Sequence, residues 1–221
     1  MDGGAGEARS GRATMGAMAD ADRLYFRQLL AGLDVAGDDF IAQQMVNFVY
    51  LVGDRETGEA VAIDLAYDVP GVLDVLAADG MRLVGALATH YHPDHVGGNL
   101  MGHEISGLAD LLDRQEVPVH VQADEVEWVT RATGVGADQL VGHASGDVVT
   151  VGEIPITLIH TPGHTPGSQC FLVHDPAGGK LVSGDTLFLD GCGRTDLPGS
   201  DPAQMLASLR RLQTDVIDLY Q

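Results

Sequence analysis

Three histidines and an aspartate fall within six consecutive positions, His90-Tyr91-His92-Pro93-Asp94-His95. Neutral imidazole and carboxylate are both ligands for zinc or iron, and a chain leaving a strand can aim alternate side chains at one point. Nine histidines in 221 residues do not produce this density by chance. Three later segments answer the cluster. His164 sits in a turn, Thr161-Pro162-Gly163-His164-Thr165-Pro166-Gly167, that glycines tighten and prolines stiffen. Asp185 follows an apolar run in Ser183-Gly184-Asp185-Thr186, and Gly191-Cys192-Gly193-Arg194-Thr195-Asp196 is a glycine-rich loop with a lone arginine. Histidines and an aspartate at the ends of separate strands are how a sheet edge assembles a metal site from distant sequence.

The elements that must position these residues are read from periodicity. The apolar run 83–88 forms the strand that delivers the cluster. Residues 48–52 and 60–64 read as a strand pair across the turn Gly53-Asp54-Arg55-Glu56-Thr57-Gly58. Val72, Leu73, Val75 and Leu76 lie at helical spacing after Pro70-Gly71, and Ile105, Leu108, Leu111 and Leu112 form a second helical stripe. Residues 24–33 read as a short amphipathic segment, 117–121 as a strand, and 124–131 as a helix. Alternation over 148–159, broken at Gly152-Glu153, predicts a hairpin; 169–174 and 180–183 predict two further strands. Asp201-Pro202 caps a helix running to about residue 212. Hairpins mixed with strand–helix alternation predict an α/β (α+β) protein of sheets covered by helices.

Taken together, these motifs resemble the metallo-β-lactamase-fold hydrolases, and the similarity runs from about Met45 to Leu212. The resemblance implies a four-layer αββα sandwich with metal held at one edge between two sheets. It implies a first metal on His90, His92 and His164, and a second on Asp94 and His95, with Asp185 bridging both. The family normally adds one more histidine on a strand after the last helix, but no histidine follows His174 here. The expectation is therefore a domain over residues 23–221 that lacks its last strand and helix, after a disordered tail at 1–22.

Within the family, the Gly-Asp-Thr and Gly-Cys-Gly-Arg segments are similar to glyoxalase II-like thioesterases (hydroxyacylglutathione hydrolases) and persulfide dioxygenases. The resemblance implies zinc, one or two ions, with hydroxide attacking a thioester or similar small acyl carbonyl while Asp94 orients the water or ligates. Arg194 is expected to grip a substrate carboxylate, a task suited to a guanidinium fork. Thr195-Asp196 stands where the thioesterases carry an aromatic pair, and Arg-Thr-Asp is shared with the dioxygenases. The alternative is accordingly a persulfide dioxygenase with one Fe2+ on His90, His164 and Asp185, although the segment from His95 to His164 is long for it. A third reading is a truncated remnant that binds metal with little turnover.

Twelve basic against 32 acidic residues give a net charge of −20, which repels nucleic-acid phosphates and anionic membranes. No stretch approaches the roughly 20 apolar residues of a membrane span. The start of the chain lacks the apolar core of a secretory signal, and two cysteines make a disulfide framework improbable, so a cytoplasmic protein with a small-molecule thioester or thiol-conjugate substrate is expected. Cys170 and Trp128 are expected in the core, and Cys192 as a small buried thiol. Asp64, ending a strand, either hydrogen-bonds near the site or makes a turn or cap, and stays outside the ligand set with Asp196. The remaining histidines read as surface or hydrogen-bonded residues, His160 being the nearest to a supporting role.

Overall fold

The computed structural model describes residues 23–212 and the backbone of 217–220; the tail expected at 1–22 lies outside the described residues. One sheet contains β1 (Leu24–Leu30), β2 (Phe48–Asp54), β3 (Glu59–Ile63) and β4 (Arg82–Leu87). A small hairpin, β5 (Gly98–Leu100) and β6 (His103–Ile105), follows before β7 (Val119–Gln122) and β8 (Leu140–His143) complete that sheet in the order β1-β2-β3-β4-β7-β8. Its first three strands pair antiparallel and the rest parallel. The second sheet holds β9 (Val148–Val151), β10 (Ile154–His160), β11 (Gln169–Val173), β12 (Gly179–Val182) and β13 (Ile217–Tyr220), ordered β13-β12-β11-β10-β9. The helices are α1 (Phe40–Met45), α2 (Val69–Ala78), α3 (Pro93–Val96), α4 (Leu108–Arg114), α5 (Val126–Thr133) and α6 (Pro202–Arg211).

Side-chain alternation builds the layers. In β2 and β3, Tyr50, Val52, Val61 and Ile63 face the second sheet and meet Ile156, Leu158, Phe171 and Val173. Their neighbours Val49, Leu51, Ala60 and Ala62 face the other way, against Val72 and Leu76 of α2 and Leu108 and Leu111 of α4. Both faces of these strands are buried, which is why they read as continuous apolar runs. On the outer face of the second sheet, Cys170 and Leu181 pack with Leu212 just after α6. The result is the expected αββα order. Asp68 opens α2 by accepting from Gly71 N at 2.9 Å, and Asp201 opens α6 by accepting from Ala203 N at 2.8 Å, each with a proline in the first turn.

The elements differ from these expectations at several points. Residues 24–30, expected only as part of a short amphipathic segment, form a strand in which every residue finds a partner on β2. Ile105 belongs to β6, so the helical stripe begins only at Leu108. A strand follows the last helix: residues 217–220 run parallel to β12 as the edge of the second sheet. Helix α1 and strand β8 are additional to the elements expected from periodicity. Among the described residues no helix is long and apolar enough to cross a membrane.

Candidate metal centre

Four strand ends converge at one edge of the two sheets. β3 ends into Asp64, β4 into Thr89 and His90, β10 into the 161–168 turn, and β12 into Asp185. His92 precedes α3, and its carbonyl accepts from the amides of His95 and Val96 at 2.9 and 3.1 Å, which turns His95 back toward the site. The second sheet is tied to this loop by Gln169, whose amide N–H donates to Thr89 O and whose side chain donates to Ala88 O, both at 2.9 Å.

Three imidazoles meet at one point. His92 Nδ1 lies 3.0 Å from His90 Nε2 and 2.9 Å from His164 Nε2. The outward nitrogens fix the tautomers. His164 Nδ1 is 2.7 Å from the Arg194 carbonyl, which can only accept, so His164 Nδ1 carries a proton and Nε2 is the nitrogen turned inward. Thr89 donates its one hydroxyl proton to Asp64 at 2.7 Å, so it accepts from His90 Nδ1 at 3.0 Å, and His90 Nε2 is bare. Burial, reinforced by the neighbouring imidazoles, holds His90 well below its ordinary value, and burial followed by His164 brings His92 down to about 4. His90 and His92 are thus uncharged, and the three rings turn nitrogens toward one point, as a set of metal ligands must.

The other half carries charge. His95 Nδ1 donates to Asp64 Oδ2 at 2.9 Å, while its Nε2 faces Asp185 at 3.4 Å and Asp94 at 3.6 Å. Burial opposes a charge on His95, but Asp94, Asp64 and Asp185 outweigh it and raise its pKa well above the ordinary value. Asp185 also reaches His164 Nε2 at 3.3 Å; burial works against its charge, but His95 and the other imidazoles hold its carboxyl below the usual range. Asn47 donates to Asp94 Oδ2 at 2.9 Å and fixes that carboxylate. Two donor sets therefore share His90: His90, His92 and His164, and His90, His95 and Asp185, each with ligand atoms within 4.8 Å of one another. Nitrogen donors beside carboxylates suit zinc or iron. A cleft of about 350 Å³, lined by Asn47, Tyr50, Asp94, His95 and Asp185 among others, opens against the charged half.

Backbone contacts set the heights of the loops. Gly193 N donates to Asp185 O at 2.8 Å, and a Cβ there would lie 2.1 Å from that oxygen and 3.0 Å from His164 Nδ1. Gly163 has a φ of +146°, and a Cβ would lie 2.4 Å from the backbone of Met205 in α6. Ser208 of α6 donates to Pro162 O at 2.8 Å, so α6 braces the His164 turn.

All the expected ligand residues, His90, His92, Asp94, His95, His164 and Asp185, are brought together. The Arg194 side chain stands apart: it is exposed and makes a two-pronged pair with Asp196, both bonds at 2.9 Å, while only its carbonyl touches the site. Sequence reasoning left Asp64 between two roles; it is 3% exposed and orients His95 and Thr89. Asn47 and Glu125 were missed, for a lone Asn after an unrecognised helix and a Glu inside a charged helix start carry no spacing signal. Cys192 is exposed rather than buried, because its loop lies outside the layers, and Trp128 is half-buried, stacked on Tyr91 at 5.0 Å. Cys170 is core, as expected. His160 Nε2 is 3.0 Å from the carbonyl of Pro166 in the His164 turn.

Residues 44–220 match the metallo-beta-lactamase superfamily. A hydroxyacylglutathione hydrolase of Synechococcus sp. (strain JA-3-3Ab) is 38% identical over 169 residues, covering 76% of this chain and 58% of that one. The mitochondrial persulfide dioxygenase ETHE1 of Homo sapiens is 31% identical over 186 residues, covering 81% of this chain and 65% of that one. The chain spans less than two thirds of either relative. A metallo-beta-lactamase from Staphylococcus aureus subsp. aureus COL aligns with a TM-score of 0.68 at 26% identity, over 90% of this chain and 55% of that one. With its layers and its motifs in the order these enzymes share, the chain belongs to the metallo-beta-lactamase superfamily of metal-binding enzymes.

Proposed function

We propose that the protein is a metal-dependent hydrolase of thioesters of small thiols, of the hydroxyacylglutathione type. The observation that carries this reading is the convergence of three imidazoles, His90, His92 and His164, beside His95, Asp94 and Asp185. Zinc, as one or two ions, would act there as a Lewis acid toward an acyl carbonyl and bring the pKa of bound water to about 7. The chain's own residues supply the rest. His90, His92 and His164 are the proposed holders of a first ion, and His95 and Asp185 extend the set toward a second. Asp94, steadied by Asn47, borders the cleft and is assigned to orient the attacking water and take its proton. Arg194 is proposed to exchange Asp196 for a carboxylate of the thiol carrier, for which its exposure leaves room. The relatives named hydroxyacylglutathione hydrolase support the substrate class. A cytoplasmic location is proposed with it, in keeping with two free thiols.

The likeness to a persulfide dioxygenase favours a second reading, one iron on His90, His164 and Asp185. That reading leaves His92 idle although its Nδ1 lies within 3.0 Å of both neighbouring imidazoles. Metal analysis of purified protein with an S-acylglutathione hydrolysis assay separates the two. Bound zinc with turnover that disappears in His92→Ala is expected. One iron per chain with oxygen uptake on glutathione persulfide would establish the dioxygenase instead. Stoichiometric metal with neither activity would leave a metal-binding remnant.

A further inference from the structure

Glu125 lies just before α5 and belongs to neither donor set, yet it is 1% exposed beneath the loops that carry them. Its Oε1 accepts from Gly167 N at 3.0 Å and from the Thr165 hydroxyl, one residue past His164. The amide of Tyr91, between His90 and His92, faces the same carboxyl, while Oε2 is buried without a hydrogen-bond partner. Contact with the His164 turn is as close as backbone allows: a Cβ on Gly167 would lie 2.5 Å from Glu125 Cγ. About one turn further along α5, Val129 enters the helix-side core, and Trp128 stacks on Tyr91 with ring centres 5.0 Å apart and planes at 25°.

A carboxyl group taken out of water costs stability unless its bonds compensate. Here it is satisfied on one oxygen only, so packing alone gives no reason for it. What it does reach is a pair of loops 72 residues apart in sequence whose imidazoles must meet within hydrogen-bond distance. We propose that Glu125 is a positioning residue that clamps the His90–His92 loop to the His164 turn and so sets the geometry of the three-imidazole site. The clamp needs an acceptor at Oε1, not a charge. Burial pushes the Glu125 carboxyl up to about 7, so a neutral side chain of the same shape serves.

The inference rests on the metal reading above, and its test keeps the two apart. Glu125→Ala, Glu125→Gln and Thr165→Val are prepared in the full chain. Zinc affinity is measured by competition, the cobalt-loaded proteins are compared by visible absorption, and the metal-free proteins by thermal melting. Supporting groups around metal ligands contribute about 10–100-fold in affinity. Glu125→Ala is therefore expected to bind zinc at least about tenfold more weakly, with an altered cobalt spectrum that a mere loss of stability would not cause. Glu125→Gln should stay within about threefold of the parent, and Thr165→Val should fall between them. If Glu125→Ala does not fold, Thr165→Val, which removes one hydroxyl, decides the matter. Parent-like affinity and an unchanged cobalt spectrum in the alanine variant, or in Thr165→Val where that variant alone folds, would overturn the clamp while leaving the metal reading intact. A parent protein that binds neither zinc nor cobalt would overturn both.

Discussion

Replacing Asp64 by asparagine should leave the fold standing and disarm the metal centre. Asp64 accepts three bonds, from Thr89 N and Thr89 Oγ1 at 2.7 Å each and from His95 Nδ1 at 2.9 Å. Asparagine has nearly the same shape and tolerates the left-handed backbone at this position, where φ is +55°. It offers one acceptor in place of two. If its oxygen keeps the Thr89 amide, its NH2 faces Thr89 Oγ1 and His95 Nδ1, and both must then accept. In the parent, the Nδ1 proton held by Asp64 leaves His95 free to give up its Nε2 proton to a metal; in the variant the proton that remains is the one on Nε2, inside the site. Thr89, its hydroxyl proton released, donates to His90 Nδ1, which moves the His90 proton to Nε2 as well. The opposite orientation sets NH2 against a buried N–H at a cost of about 1–3 kcal/mol, so the first is favoured. Each misdirected imidazole should weaken metal binding about 10–100-fold. A combined loss near 100-fold corresponds to about 2.7 kcal/mol. Asp64→Ala instead orphans three buried donors and should lower stability by about 3 kcal/mol or more, a fall of roughly 6–12 °C or more in Tm for a chain of this size. Zinc competition titrations report affinity, and long-range proton–nitrogen NMR reports the tautomers. Asparagine variant protein that binds zinc within threefold of the parent, with bare Nε2 on both rings, would refute the reasoning.

Further outcomes follow from the same geometry. Gly193→Ala places a Cβ 2.1 Å from Asp185 O, so the loop must move; zinc affinity should drop about tenfold while the melting curve changes little. Arg194→Ala keeps the carbonyl that orients His164, so metal content should hold and KM for a carboxylate-bearing thioester should rise; a metal-depleted variant would contradict this. Phe171→Ala opens the layer between the sheets and should cost about 3–5 kcal/mol by denaturant unfolding. Arg23, donating twice to buried Asp54, lowers that carboxyl to about 2. Its folded pKa lies below the unfolded value near 3.9, so the pair stabilises above that pH and the contribution fades as pH falls toward 2. Arg23→Ala should flatten the acid limb of the stability profile, and an unchanged slope between these pH values would refute the assignment.

What could be read from sequence divides by distance. His90, His92, Asp94 and His95 are legible because four donors share one loop, and His164 and Asp185 because each sits in a turn motif after a strand. Asp64 and Asn47 act through bonds that only the folded chain creates: Asp64 reaches His95 across 31 positions and Asn47 reaches Asp94 across 47. β1 was legible only as an amphipathic segment, because seven paired residues on β2 decide its conformation. Ile105 continued the stripe of α4 numerically, but Gly102 with its φ of +92° and the hairpin partner at Gly98 place it in a strand. Cys192 was expected buried on residue type alone, since free cysteines are usually buried, but in its loop only Gly193 is buried.

The convergence of His90 and His92 with His164 also orders events during folding. The rings of His92 and His164 are 72 residues apart along the chain, and each is delivered by a different sheet. Contacts of such sequence separation close late, because loop entropy must be overcome before they form. Before then the short cluster offers at most two or three loosely arranged imidazoles, which hold a cation weakly and without preference. Metal choice is thereby deferred until both sheets have docked, and the nearly assembled protein, not the nascent chain, discriminates among the ions it meets. Stopped-flow refolding in the presence of zinc should accordingly show metal uptake following the slowest folding phase, with a rate independent of zinc concentration.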